Sequence, residues 1–138
     1  MAVRAPFATE IDDANIWVKS FVELAGIRNN KNLAWNLFGA GLRALRDRLP
    51  EAVIVNLGAQ LPTLVRGLYY ADWSLKEAPR KERHKKPFLD RLDGALAANK
   101  SDPERIARAT FGVLRERIDA SEVAKVLRHL PRELRQLW

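Results

Sequence analysis

Six arginines carry the most legible chemistry in this 138-residue chain. Arg46, Arg48 and Arg66 recur 69 residues later as Arg115, Arg117 and Arg135, and Asp47 recurs as Glu116. Guanidinium groups near carboxylates do one of two things: they tie helices together as ion pairs, or they hold an anion. A charged residue kept at a matched position in two units of one chain points to a shared local partner. The expectation is therefore structural, with Asp47 paired to Arg66 and Glu116 to Arg135, each pair worth about 0.2–1 kcal/mol if partly exposed. A paired anion site is the functional alternative.

A second group with chemical potential is the basic run Lys76, Arg80, Lys81, Arg83, Lys85 and Lys86, with His84 among them. Contact with nucleic-acid phosphates would release counterions and make affinity fall steeply with salt. Tyr69, Tyr70 and Trp73 lie just upstream and could stack on unpaired bases. Against this, Glu77 and Glu82 dilute the charge, and no helix-turn-helix, RNA-recognition or zinc-finger signature is present. A solvated linker is the simpler and favoured explanation of the run, with the aromatics closing the first unit. Tryptophan gives a third signal. Trp35 falls beside the apolar stripe of its helix, and its counterpart 69 residues on is Glu104. That asymmetry suggests packing against the other half, or a protein contact of the kind tryptophan favours. Trp35, Tyr70 and Trp73 are the candidate protein-contact residues.

Other constellations fail on physical grounds. Gly39-Ala40-Gly41-Leu42-Arg43-Ala44 fits a dinucleotide fingerprint in letters, but that chemistry needs a strand before it and a helix starting at it. Here it lies inside a helical stretch, where small residues let another helix approach. The two histidines, His84 and His129, have no metal-ligand spacing. Acids are scattered, and no serine has a neighbouring base. The reading is of a chain that is not an enzyme, with no cofactor and no metal.

The elements that must position these residues are helices. Apolar residues recur at helical spacing, and no sustained alternation appears. Residues 1–9 read as a loose arm, and Thr9-x-x-Asp12 resembles a capping box. A first helix runs to Ala25 with Ala14, Trp17, Val18, Phe21 and Ala25 inward; Gly26 breaks it. A second runs from near Asn32 to Leu49, with Ala34, Leu37, Phe38, Gly41, Leu42, Leu45 and Leu49 as its stripe. A short third covers 51–59, and Pro62 opens a fourth carrying Leu64, Val65, Leu68 and Tyr69. The scheme then repeats. Phe88, Leu89, Leu92, Ala95 and Leu96 form the counterpart of helix one. Ser101 is the expected cap of the next, with Pro103 in its first turn. Asp119-x-x-Glu122 opens a seventh helix, and Pro131 an eighth.

Residues 30–69 can be laid on 99–138 without a gap, with 10 of the 40 positions identical. Equal-spaced self-similarity of this length marks a duplicated helical unit. The expected fold is all-α: two pseudo-symmetric repeats of about four helices in one domain spanning 10–138. Repeat one covers about 10–72, a basic linker 74–87, and repeat two 88–138.

Composition bounds the rest. The net charge is +7, with +2 on residues 1–69 (8 basic, 6 acidic) and +5 on 70–138 (16 basic, 11 acidic). Cysteine is absent, which removes disulfides and thiolate chemistry and fits a reducing cytoplasm. No apolar run approaches the roughly 20 residues a membrane helix needs, and the first eight residues lack the apolar core of a signal peptide.

The doubled Leu-Arg-(Asp/Glu)-Arg-(Leu/Ile) pattern, followed by (Gln/His)-Leu-Pro-x-x-(Leu/Val)-Arg-x-Leu-(Tyr/Trp), resembles the bacterial family known as domain of unknown function 2267. The resemblance covers roughly 21–138. It implies a bacterial, all-helical tandem repeat, and it implies no activity and no catalytic residues. The expected function is a non-enzymatic interaction module of the cytoplasm with a protein partner. Nucleic-acid binding through the segment 76–86 is the alternative.

Overall fold

Gly26 ends the first helix through its backbone. Its φ of 64° lies in the left-handed region, and its N–H donates to the Val22 carbonyl at 3.0 Å. In this computed structural model, which describes residues 5–76, 78–96 and 99–138, similar local chemistry sets most helix boundaries. α1 spans Ala8–Ala25 and α2 spans Lys31–Arg46. Asn30 caps α2, its side-chain oxygen accepting the Leu33 N–H at 3.1 Å. Pro50 and Pro62 occupy the caps of α3 (Glu51–Ala59) and α4 (Thr63–Tyr70), where a missing N–H costs nothing. α5 spans Lys85–Ala95, α6 Pro103–Arg117, α7 Ala120–Leu127 and α8 Arg132–Arg135. Among the described residues there are eight helices and no strand.

Two cap expectations need correction. α1 begins at Ala8 with Phe7 in the cap position and no side-chain cap bond, so Thr9 and Asp12 form no capping box. At α6 the cap is Asp102, whose Oδ1 accepts the Glu104 N–H at 3.1 Å, while Ser101 Oγ turns to the Asn99 carbonyl. Pro103 at the first helical position puts the cap one residue later than the serine suggests. Asp119 caps α7 as expected, through the Ser121 N–H at 3.0 Å.

α1, α2 and α6 make the centre of the fold, with α4 against α1 and α2, and α5 against α2 and α6. α3 packs on α4 and α7, and α8 on α5. Every residue of the expected stripes on α1 and α2 is buried. Phe21 and Phe38 meet at 5.2 Å between ring centroids, and Phe111 stacks on Trp138 at 4.7 Å. Burying a side chain of this size stabilises by roughly 1.5–3 kcal/mol, so these positions dominate the helix-to-helix energy. Two stripe expectations differ. Leu64 is 41% exposed because it lies on the outer side of the first turn of α4, and Ala95 is exposed at the end of α5.

The small residues of α2 do what close helix approach requires. A Cβ on Gly39 would come 2.7 Å from Leu68 Cδ1 of α4, and one on Gly41 would collide with the Thr110 hydroxyl of α6. The Gly39–Ala44 stretch lies within α2 with no strand before it, so it forms no dinucleotide site.

The 69-residue spacing is kept by the short helices. α3 and α7 begin at Glu51 and Ala120, and α4 and α8 at Thr63 and Arg132, 69 residues apart in each case.

Candidate functional site

The residues with chemical potential converge where α2 ends and the chain passes from α4 to α5. The last carbonyls of a helix have no partner within it and carry the negative end of its dipole. α2 supplies cations to those of α4. Arg43 Nη1 donates to the Leu68 carbonyl at 3.1 Å, and Arg46 Nη1 donates to the carbonyls of Tyr69 at 2.9 Å and Ala71 at 2.6 Å. Arg46 is buried, 3% exposed, and its Nε and Nη2 both engage Asp47 Oδ1, at 2.8 and 2.7 Å. Burial, followed by the charge of Arg46, pulls the Arg43 guanidinium below its ordinary value. Burial also drives the Tyr69 phenol far above its ordinary value, and its hydroxyl donates to the Ile54 carbonyl at 2.9 Å.

Arg66 and Arg135 do not pair with Asp47 and Glu116. Arg66 donates from Nε to the Gly58 carbonyl at 2.9 Å and from Nη2 to the Leu61 carbonyl at 2.8 Å. Arg135 Nη1 donates to the Leu130 carbonyl at 3.0 Å, the bond that matches Arg66–Leu61 after 69 residues. The shared partner of the two arginines is thus a turn carbonyl rather than a carboxylate. Arg48 and Arg117 also follow one scheme, each reaching into the other half: Arg48 Nε to the Glu82 carbonyl at 2.7 Å, Arg117 Nε to Ser20 Oγ at 3.1 Å. Arg48 is held below its ordinary value, chiefly by burial.

The basic segment is a strap fastened to the body rather than a free linker. The Arg80 N–H donates to the Asp47 carbonyl at 2.7 Å. Glu82 takes a forked pair of bonds from Arg91, at 2.7 and 3.0 Å, and Arg91 also donates to the Ala44 carbonyl at 3.0 Å. At its far end His84 lies 2.6 Å from Glu133, whose other oxygen accepts the Lys85 N–H at 3.1 Å. Glu133 of α8 therefore supplies to α5 the cap that His84 does not. Its carboxyl is held below its ordinary value, first by His84 and then by that N–H. Lys85 and Lys86 are not in the strap at all. They open α5, where Lys85 pairs with Glu104 at 3.1 Å and Lys86 with Asp90 at 2.8 Å. Lys76, Arg80, Lys81 and Arg83 are exposed, and among the described residues their side chains form no ion pair. Glu77 lies outside the described residues.

Of the candidate protein-contact residues, Tyr70 and Trp73 are brought together, 5.4 Å between centroids, and the Tyr70 ring lies over Gly58 of α3. Trp35 is partly buried against the core near the start of α2, about 18 Å along the helix from Asp47 at 1.5 Å per residue. A cleft of about 300 Å³ opens between the strap and α3, lined by Leu49, Ile54, Trp73, Leu75 and Pro79, with Asp47, Glu51, Lys76 and Arg80 among its polar residues. Leu75 is 67% exposed. Across Arg80 and Asp47 lies a second cleft of about 250 Å³, which contains Arg43, Arg46, Arg91 and Asp72.

Sequence reasoning missed Arg43, Asp72, Glu82 as an anchor, and Arg91. Arg43 stands one turn before Arg46 and could have been placed beside it. Arg91 comes from another half of the chain and carries no local signal. No group of three metal-ligating side chains occurs among the described residues, and His129 is occupied with the Lys125 carbonyl at 2.8 Å.

The sequence model of a family described as "Uncharacterized conserved protein (DUF2267)" matches residues 14–137. This chain belongs to the DUF2267 family. Among curated proteins none matches it. In this DUF2267 domain the matched span takes in the strap and both clefts. No helix among the described residues is long and apolar enough to cross a membrane.

Proposed function

We propose that this DUF2267 domain is a non-enzymatic interaction module of the bacterial cytoplasm that binds another protein through the cleft between the strap and α3. The observation that supports this reading most is Leu75, a large apolar side chain 67% exposed at the edge of a cleft that holds Trp73 and Ile54 among charged residues. Covering such a side chain on association would remove apolar area from water and stabilise the contact. Arg80 and Lys76 on the strap side match a partner segment that carries an acidic residue beside its apolar one. The lack of cysteine fits the compartment. The test is quantitative capture from the native cell with wild type and with Leu75→Asp, using Trp35→Ala as the control. A partner lost with Leu75→Asp and kept with Trp35→Ala supports the reading. Identical protein profiles from all three contradict it.

The second reading is nucleic-acid binding. Lys76, Arg80, Lys81 and Arg83 are exposed without ion-pair partners among the described residues, which favours phosphate contact. Two of the six cations first assigned to such contact, Lys85 and Lys86, are already paired. Loss of any shift of single- or double-stranded nucleic acid at about 50 mM salt removes this reading.

A further inference from the structure

The second cleft contains four arginines and two aspartates: Arg43, Arg46, Arg80, Arg91, Asp47 and Asp72. Its net formal charge is therefore +2. Arg46 and Arg91 spend most of their donors on Asp47, Glu82 and backbone carbonyls. Asp47 in turn is occupied by Arg46 at 2.7 Å, with Arg91 at 4.0 Å. Arg43 spends only one bond, to the Leu68 carbonyl, and the Arg80 guanidinium bonds nothing among the described residues. Two guanidiniums with unspent donors thus face one cleft, contributed by α2 and by the strap. The strap that carries Arg80 is itself fixed at Asp47 and Glu82, so the Arg80 backbone is held beside the cleft, and Arg43 is held by the Leu68 carbonyl.

We infer that this cleft binds a small phosphate-class dianion, seated between Arg43 and Arg80. Guanidinium forks match the oxygens of phosphate in pairs, and charge-assisted bonds of this type are the strong ones. With Arg46 balanced by Asp47 and Arg91 by Glu82, Arg43 and Arg80 face only Asp72, and an anion would offset the cationic excess that remains. The partial desolvation of Arg43, which lowers its proton affinity, is relieved by the same anion. The cleft of about 250 Å³ has room for a phosphate or a small phosphomonoester. The site shares Arg80 and Asp47 with the cleft between the strap and α3, but its test uses phosphate probes and no partner protein, so the two readings fail separately.

The experiment is calorimetric titration of the full chain, in chloride buffer of matched ionic strength, with inorganic phosphate and with O-phosphoserine. Saturable binding of at least one probe is expected. Arg80→Gln keeps the backbone N–H that fixes the strap and is expected to weaken binding about tenfold or more. Arg83→Gln removes an exposed strap arginine outside the cleft and is expected to leave affinity unchanged. Equal affinity for the two probes identifies free phosphate as sufficient, and tighter binding of phosphoserine places the group on an organic carrier; either outcome upholds the site. No saturable binding of either probe, or an equal loss with Arg80→Gln and Arg83→Gln, overturns it.

Discussion

Arg91 on α5 grips Glu82 through Nε at 2.7 Å and Nη2 at 3.0 Å, with side chains only 20% and 14% exposed. That one forked contact turns a basic, proline-containing segment into a wall shared by two clefts. It also explains why Glu82, which seemed merely to dilute the charge of the run, matters more than the cations around it.

Removing the grip should release the strap. Arg91→Ala leaves Glu82 partly buried without its partner and the Ala44 carbonyl without its donor. The expected loss is about 1–3 kcal/mol in urea unfolding. Trypsin should cut after Arg80, Lys81 and Arg83 markedly faster than in the wild type under native conditions. Unchanged cleavage would mean that the grip does not hold the segment.

Asp47 and Glu116 occupy matched positions in different surroundings. Asp47 neutralises Arg46, which is buried, whereas Glu116 is exposed beside an exposed Arg115. Asp47→Ala is therefore expected to cost about 1.5–3 kcal/mol, the worth of a charge-assisted bond to a buried guanidinium that keeps its two carbonyl partners. Glu116→Ala should fall within about 0.5 kcal/mol of wild type. Equal effects in thermal unfolding would show that Arg46 is compensated elsewhere.

Two glycines should respond in opposite directions. Gly67 lies exposed in α4 with nothing near the position of a Cβ. Gly67→Ala is expected to stabilise by about 0.5–1 kcal/mol through the helix backbone. Gly41→Ala drives a methyl into Thr110, whose hydroxyl is committed to the Ile106 carbonyl at 2.8 Å, and should cost about 1–3 kcal/mol. Chemical denaturation of the two variants checks the sign of each.

Acid should loosen the joint between α5, α6 and α8. The Glu104 carboxyl is held below its ordinary value by Lys85 and then Arg108, and that of Glu133 by His84 and then the Lys85 N–H. Depressed carboxyls contribute stability that is present above their unfolded values and lost as pH falls through the folded ones. The window therefore lies below the ordinary glutamate value of 4.5. A Glu104→Gln/Glu133→Gln protein should melt below wild type at pH 7, with the gap closing toward about pH 3. A gap that is constant with pH would contradict this origin.

The stripes of α1 and α2 were legible because burial follows the helical period when one face meets a core. Helix starts at Asn30, Pro50, Pro62 and Asp119 were legible or nearly so because caps are local chemistry. The site was not. Arg66 and Arg135 were assigned carboxylates, but backbone carbonyls at helix ends are acceptors that no residue letter announces. Arg91 meets the Ala44 carbonyl only because α5 folds back on α2. The exposed aromatic and apolar residues were visible as types, but whether they line a cleft depends on the path of the strap.

Cross-linking of the captured complex tests the account most directly. Lys76 and Lys81 border the apolar cleft or the strap beside it, while Lys19, Lys31 and Lys125 lie on α1, α2 and α7. With a lysine-reactive reagent and mass spectrometry, the partner should be joined mainly to Lys76 and Lys81, and these links should vanish with Leu75→Asp. Links confined to Lys19, Lys31 or Lys125, or unaffected by Leu75→Asp, would contradict the cleft as the docking site.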